Sequence, residues 1–404
     1  MDCFDKIIFI MTLDSPKEIY IDNAATTSMR KEVLDAMIPY FSENYGNPSS
    51  LYSIAQIARD AVDESRENVS NILSCRPSEI IFTSGGTESD NMAIIGVARA
   101  LKDTGNHLIT TKIEHHAVIH AMEELESTGY KVSYLNVDEE GFINVEELES
   151  KINSSTSLIS IMLANNETGT IQNLSEISKI AKNKAKQFER EIYIHTDAVQ
   201  AAGKLDLNVK ELGVDMMSLS GHKIKGPKGI GCLYIKKGIP IAPIILGGGQ
   251  ERQRRSGTEN VPGIVGFSKA LVLADNERNT FNSHCKKLVE ELRLNLKNIK
   301  YEHAIVTPTK NSLSNILNVC FKGFEGEPIL IGLDMDGIFA SSGSACSSAS
   351  LEPSHVLISM GIDPKLAIGS IRFSFSMENA LDEIQFLTNS LEGVLSELSQ
   401  LAQT

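Results

Sequence analysis

The sequence predicts an α/β protein: a large unit built on a mostly parallel sheet with helices on both faces, followed by a smaller α+β unit. From about residue 80 to residue 235, short β-rich runs alternate with helical stretches, as βαβ units require. Beyond about residue 265 the alternation stops and a long helical stretch begins. With 404 residues, 42% of them hydrophobic and 22% charged, the chain has apolar material for two packed units and the composition of an ordered protein.

In chain order, EIIF (79–82) precedes the helical ESDNMAIIGVARAL, and HLITT (107–111) precedes AVIHAMEELES. LISIML (158–163) then precedes LSEISKIAKNKA, and EIYIH (191–195) is followed by DAVQ. In such sheets ligands bind outside the carboxyl ends of the strands, so the residues just after each run carry the functional reading. The second unit reads as a helix from Gly266 to Lys297, a strand NILNVCF (315–321), a helix near Pro328 to Asp334 and a strand IRFSF (371–375). The expected division is 30–268 for the large unit and 1–29 with 269–404 for the small one, with the boundary inside a helix.

A net charge of -14 and a pI near 5.2, with no run of Lys or Arg, leave no footprint for a nucleic-acid backbone. Six cysteines (Cys3, Cys75, Cys232, Cys285, Cys320 and Cys346) stand far apart with no CxxC pair, which suits a reducing compartment rather than a disulfide framework. The apolar stretch Ile7 to Leu13 is too short to span a bilayer, follows two aspartates and precedes no small-residue cleavage site. The expectation is a cytoplasmic protein that keeps its N-terminus and does not enter a membrane; the acidic, Arg-free start also argues against a mitochondrial transit peptide.

Five polar clusters follow strand-like runs. Ser84-Gly85-Gly86-Thr87-Glu88-Ser89 opens a helix, where backbone N–H groups can hold an anion such as phosphate, although a plain helix cap has the same composition. Ser220, His222 and Lys223 follow the apolar run VDMMSL. A lysine there can lose its charge by desolvation and act as a Schiff-base nucleophile, or be one of several lysines in a basic surface turn. Asp197, just past EIYI, can pair with a protonated pyridine nitrogen or cap a helix. Metal binding by His195 with Asp197, or by His116 with His120, is a competing reading without an HExxH pattern behind it. In Glu114-His115-His116, an imidazole can stack on a planar ring, move protons or be structural. The fifth cluster, residues 341–350 (SSGSACSSAS), buries little apolar surface and presents Cys346 on a tether of small residues, unlike Cys320 in NILNVCF.

These clusters, with YIDNAATT (20–27), GNPSS (46–50), ANNETG (164–169), RRSGTEN (254–260), SSGSACSSASLEPSHVL (341–357) and SIRFSF (370–375), resemble the cysteine desulfurases related to NifS and IscS. That group lies within the class-V aminotransferases, which are fold-type-I enzymes dependent on pyridoxal 5'-phosphate (PLP), and the resemblance runs from about Ile19 to the C-terminus. It implies that Lys223 carries the cofactor as a Schiff base, that Asp197 pairs with the pyridine nitrogen, that His115 stacks on the ring, and that Asn166 and Gln200 lie at its O3′ side. The phosphate cup would be Gly86, Thr87, Ser220 and His222 of one subunit with Thr258 of the other, which implies an obligate homodimer. Arg372 would clamp the substrate carboxylate, a bidentate task suited to guanidinium, with Asn166 beside it.

The activity implied is removal of sulfur from L-cysteine, giving L-alanine and a persulfide on Cys346. His115 would serve as acid and base, and the sulfur would pass to an iron–sulfur scaffold or another acceptor protein. No resident metal is implied, although Cys346 could transiently ligate an iron–sulfur cluster. Selenocysteine would react by the same route. A start at Met11 would bring the N-terminus closer to the family's, and the end at Thr404 lacks the longer tail used for scaffold docking. The rivals are another class-V enzyme without a loop thiol, a non-enzymatic interaction protein that would be colourless, and a metal hydrolase built on His115, His116, His120 and His195.

Overall fold

The computed structural model describes residues 18–343 and 352–401. After a short strand β1 (Ile19–Tyr20) and a long helix α1 (Ser53–Leu73), seven strands follow: β2 (Ile80–Thr83), β3 (His107–Thr111), β4 (Lys131–Leu135), β5 (Thr156–Ser160), β6 (Tyr193–Asp197), β7 (Met216–Ser220) and β8 (Gly231–Ile235). They form one sheet in the order β2-β8-β7-β6-β5-β3-β4. The β7-β6-β5-β3-β4 portion is parallel, while β8 runs antiparallel to both of its neighbours. The sheet is therefore mostly parallel, as the βαβ pattern predicts.

Helices α2 (Gly86–Ala100), α3 (His116–Ser127) and α4 (Leu174–Gln187) connect these strands. Alternate strand residues face opposite sides. Ile109, Ile159, Ile194 and Met217 join the apolar cluster that holds Val69 and Leu73 of α1 and Ile177 of α4. Their neighbours Leu108, Leu158 and Met216 join Met92 and Val97 of α2 and Val118 of α3 on the other side. Strands β3, β5, β7 and β8 are buried along their whole length, which is why their sequences read as continuous runs. Side-chain caps start α3 and α4: His115 accepts from Ala117 N and Asn173 from Glu176 N.

The DAVQ stretch, expected to be helical, forms turns instead. Asp197 Oδ1 takes the Val199 N–H at 2.8 Å, and Gly203 at φ 69° breaks any helix forming there. The helix α5 (Val261–Leu296) begins at the Asn260 cap, five residues before the expected start, because Pro262 is tolerated in a first helical turn. Its first half packs through Ile264, Phe267 and Leu271 onto the seven-stranded sheet. Its second half packs through Leu288, Leu292 and Leu296 into a third core.

That third core covers a three-stranded antiparallel sheet, β12-β10-β9, made of β9 (His303–Ile305), β10 (Ile316–Phe321) and β12 (Ser370–Ser374). Helix α6 (Gly326–Met335) and helix α7 (Leu381–Leu401) pack beside it. The short β1 pairs in parallel with β11 (Ile338–Phe339), so the segment that opens the described chain is stitched to this later region.

Candidate active site

The carboxyl ends of β6 and β7, the start of α2 and the middle of β12 surround a cavity of about 420 Å³. Gly86, Thr87, His115, Asn166, Asp197, Gln200, Ser220, His222, Lys223 and Arg372 all line it. Residues scattered over nearly three hundred positions thus meet at one place, outside the strand ends where an α/β sheet puts its ligand. Thr258 is exposed and does not line this cavity. Cys346 lies outside the described residues, but Gly343 on its near side reaches the cavity.

Asp197 is the last residue of β6 and is buried. Burial pushes its carboxyl up to about 6 against the opposing pull of the Val199 N–H and of Lys223. Lys223 sits in a single 3-10 turn, Gly221–Lys223, directly after β7, and its Nζ donates to the carbonyls of Ala24 and Ala25 at 2.6 Å each. His115 accepts the Ala117 N–H at Nδ1 (3.1 Å), which fixes the ring at the start of α3. Burial first, then the charge of Lys223, holds its pKa down at about 4, so the imidazole is neutral at physiological pH.

At the start of α2 the small residues have a steric reason. A Cβ on Gly86 would stand 2.8 Å from Val199 Cγ2, and Gly85 lies at φ 155°. The first turn of this 15-residue helix therefore faces the cavity with bare backbone beside Ser220 and His222, a suitable place for a phosphate. Burial, then Lys223, lowers His222 to about 4, and its Nδ1 lies 3.2 Å from Thr26 Oγ1.

Arg372 is only 2% exposed. Its Nη1 donates to Asn166 O at 2.9 Å, its Nη2 to Asp22 Oδ1 at 2.8 Å, and its Nε is buried with no hydrogen-bond partner. Gln200 donates to Ala24 O at 2.9 Å, while its Oε1 is likewise buried and unpartnered. Unmet polar atoms of this kind are costly unless a ligand meets them.

Several residues here escaped the sequence reading. Asp90, on α2, lines the cavity with Oδ1 unpartnered and 3.6 Å from His195 Nε2; burial, then Asp197, raises its pKa well above the carboxylate range. Glu114, which heads the His115–His116 cluster already singled out in the sequence, is likewise raised by burial, to about 8. Glu167, 3% exposed, accepts from Ser354 Oγ at 2.5 Å, and a Cβ on Gly343 would fall 2.5 Å from its Oε2. It stands between the two described ends of the segment that carries Cys346. Its only sequence signal was membership of ANNETG, and that of Asp22 was membership of YIDNAATT.

The alternatives built on histidine find other partners. His195 Nδ1 meets Ser160 Oγ at 2.8 Å and Nε2 meets Ser218 Oγ at 2.9 Å, so both ring nitrogens are engaged. His116 lies between the rings of His120 and His355, with centroids 5.0 and 4.7 Å away. Among the described residues, no group of three or more His, Cys, Asp or Glu side chains is arranged to hold a metal ion. No helix among them is long and apolar enough to cross a membrane.

A strand-end aspartate, a lysine in the next turn and a bare helix start around one cavity define an enzyme of the fold-type-I class, and the aminotransferase class-V family model matches residues 19–387. The chain belongs to that family, in its cysteine desulfurase branch. It is 46% identical over 390 residues to cysteine desulfurase IscS of Clostridium botulinum, covering 96% of each chain. To cysteine desulfurase IscS of Methanosarcina thermophila it is 48% identical over 386 residues, covering 96% of this chain and 94% of the relative. Among solved structures, a NifS-like protein superposes with a TM-score of 0.88 at 41% identity, over 94% of this chain and 99% of that one.

Proposed function

We propose that the protein is a PLP-dependent cysteine desulfurase that takes sulfur from L-cysteine, releases L-alanine and holds the sulfur as a persulfide on Cys346. The observation that carries this reading is the meeting of Asp197, Lys223 and Arg372 on one cavity: a counter-ion for a pyridine ring, an amine for its aldehyde and a clamp for an amino-acid carboxylate. The residues fit the cofactor. Gln200 Oε1 is a buried atom in want of a partner, and the bare start of α2 beside Ser220 and His222 suits its phosphate. Lys223 would bear it, Asp197 would pair with its ring nitrogen, His115 would stack on the ring, and Asn166 and Gln200 would hold its hydroxyl side. Gly86, Thr87, Ser220 and His222, with Thr258 of a second copy, would hold the phosphate.

When bound, PLP supplies an electron sink for charge developing at the substrate's Cα. Arg372 holds the carboxylate of L-cysteine, with Asn166 beside it. Lys223 Nζ takes and returns the Cα proton. The neutral ring of His115 is ready to accept a thiol proton. The Cys346 thiolate attacks the substrate sulfur: an S–S bond forms, the C–S bond breaks, its electron pair leaves with carbon, and protonation there completes alanine.

The working unit is a homodimer. Leu51, Tyr45, Phe41 and Leu246 are 93, 69, 61 and 80% exposed, large apolar side chains of the kind that a second copy covers. The division into 30–268 and 1–29 with 269–404 is supported by the separate cores that α5 joins. The persulfide passes to an iron–sulfur scaffold or another sulfur-acceptor protein, and Cys346 can ligate a cluster transiently. The work is done in the cytoplasm, where unpaired thiols persist.

The experiment is a visible spectrum of the purified protein before and after L-cysteine, with alanine and sulfide assayed in the same tube. A yellow band that shifts, with alanine formed, is the expected result. Yellow protein without alanine points to a different PLP reaction, and a colourless protein that PLP does not restore overturns the reading.

A further inference from the structure

Between the glycines at 247–249 and Thr258 the backbone does something unusual. Glu251, Arg252 and Gln253 have φ values of 45, 58 and 65°, three successive non-glycine residues in the left-handed region. Side chains with a Cβ disfavour that conformation, so three in a row persist only where the surroundings impose them.

The surroundings here are a buried ion pair. Arg66 of α1 donates from Nη2 to Glu251 Oε1 at 2.7 Å and from Nη1 to Oε2 at 2.8 Å. Glu251 Oε2 also accepts the Phe82 N–H at 3.1 Å, Arg66 Nη1 reaches Ile80 O at 2.7 Å, and the guanidinium lies 4.8 Å from the Phe82 ring centroid. Both side chains are almost wholly buried, at 6 and 4% exposure. The pair thus ties the turn to β2, the strand that leads into Gly86 and Thr87 of the proposed phosphate cup. A second tie follows the turn: Arg255 pairs with Glu88, the carboxylate that accepts the Ser84 N–H. Beyond both ties Thr258 is exposed and outside its own chain's cavity.

We propose that Glu251, locked by Arg66, is a positioning residue that imposes the left-handed turn and thereby presents Thr258 to the phosphate of the cofactor in a second copy of the chain. The proposal rests on the shared phosphate cup proposed above. The turn touches no substrate, so its effect is on how tightly the phosphate is held.

The test compares binding of PLP with binding of pyridoxal, which lacks the phosphate, by absorbance titration of apoprotein. Because removing one partner strands a buried charge, both are replaced: Arg66→Met with Glu251→Leu preserves apolar volume and removes the lock. The expected result is a PLP Kd raised about 10-fold or more, pyridoxal binding within about twofold of wild type, and a dimer by sedimentation. Adding Arg252→Gly and Gln253→Gly, which makes the left-handed turn easy again, restores much of the PLP affinity. Unchanged PLP binding, equal loss of both ligands, or no rescue by the glycines overturns the proposal. If instead wild type sediments as a monomer, or Thr258→Val binds PLP as wild type does, the shared cup is wrong and the proposal falls with it.

Discussion

The two sheets deliver their functional side chains in opposite ways. The seven-stranded sheet puts Asp197 on the last residue of β6 and Lys223 in the turn after β7, where the backbone is leaving the ladder. The three-stranded sheet puts Arg372 in the middle of β12, with its backbone paired to Asn318 of β10 on one side and Ser341 on the other. A strand end lets a side chain move along a reaction path, whereas a mid-strand arginine already hydrogen-bonded to Asp22 and Asn166 has little ordering left to lose when a carboxylate arrives. Under the proposed function, the strand ends serve the chemistry and the strand middle serves recognition.

The largest effect that would break this contrast concerns Lys223. Lys223→Ala should lower alanine formation by at least ~10³-fold, and borohydride treatment should no longer fix the cofactor to the protein. If the variant still turns over, a different group moves the Cα proton. Next, Cys346→Ser should retain full cofactor content and a spectrum that responds to L-cysteine, yet lose alanine formation by about 10²-fold or more. Turnover at the wild-type rate would remove Cys346 from the mechanism.

Arg372→Lys sharpens the recognition side. It keeps the charge but loses the planar fork, so KM for L-cysteine should rise roughly 10- to 100-fold, the size of one charge-assisted hydrogen bond, while kcat falls much less. A variant changed mainly in kcat would place Arg372 with the reacting groups instead.

The smallest effect is on stability against pH. His115 and His222 have folded pKa values near 4 and His195 near 3, each lowered chiefly by burial from the ordinary 6.5. The unfolded chain therefore takes up protons below about pH 6.5 that the folded chain refuses until about pH 4, and stability is lost across that interval as pH falls, by at most about 1.4 kcal/mol per proton per pH unit. Asp197, raised to about 6, works in the other direction, since its burial cost is relieved as pH drops through 6. Asp90 and Glu114, whose carboxyls burial also raises, work in the same direction as Asp197, so imidazoles and carboxyls oppose one another between pH 7 and pH 5, and His195→Asn should raise the melting temperature at pH 5 relative to pH 7 when compared with wild type. A His195→Asn variant with the same pH dependence as wild type would show that His195 takes no part in it.

Much of this was legible in the sequence because it is local. Asp197 announces itself as an acid at the end of EIYI, and Gly86 as a small residue at the start of a helix. Asp90 and Glu167 were not, because their placement arises only when distant segments meet: Glu167 with Ser354, and Asp90 with Asp197 and His195. The antiparallel placement of β8 was hidden for a similar reason, since a buried strand reads alike in either direction. DAVQ misled because its helical composition is overruled by one side-chain hydrogen bond and one glycine.

Helix α5 has a mechanical consequence. At 1.5 Å per residue its 36 residues make a rod about 54 Å long, with one end embedded in the large sheet's core and the other in the small sheet's. Melting either core strips half the packing from the same rod, and a half-released helix frays into the other core. A thermogram of this protein should therefore show one endotherm, with the calorimetric and van't Hoff enthalpies in agreement, where two separately built cores would otherwise give two.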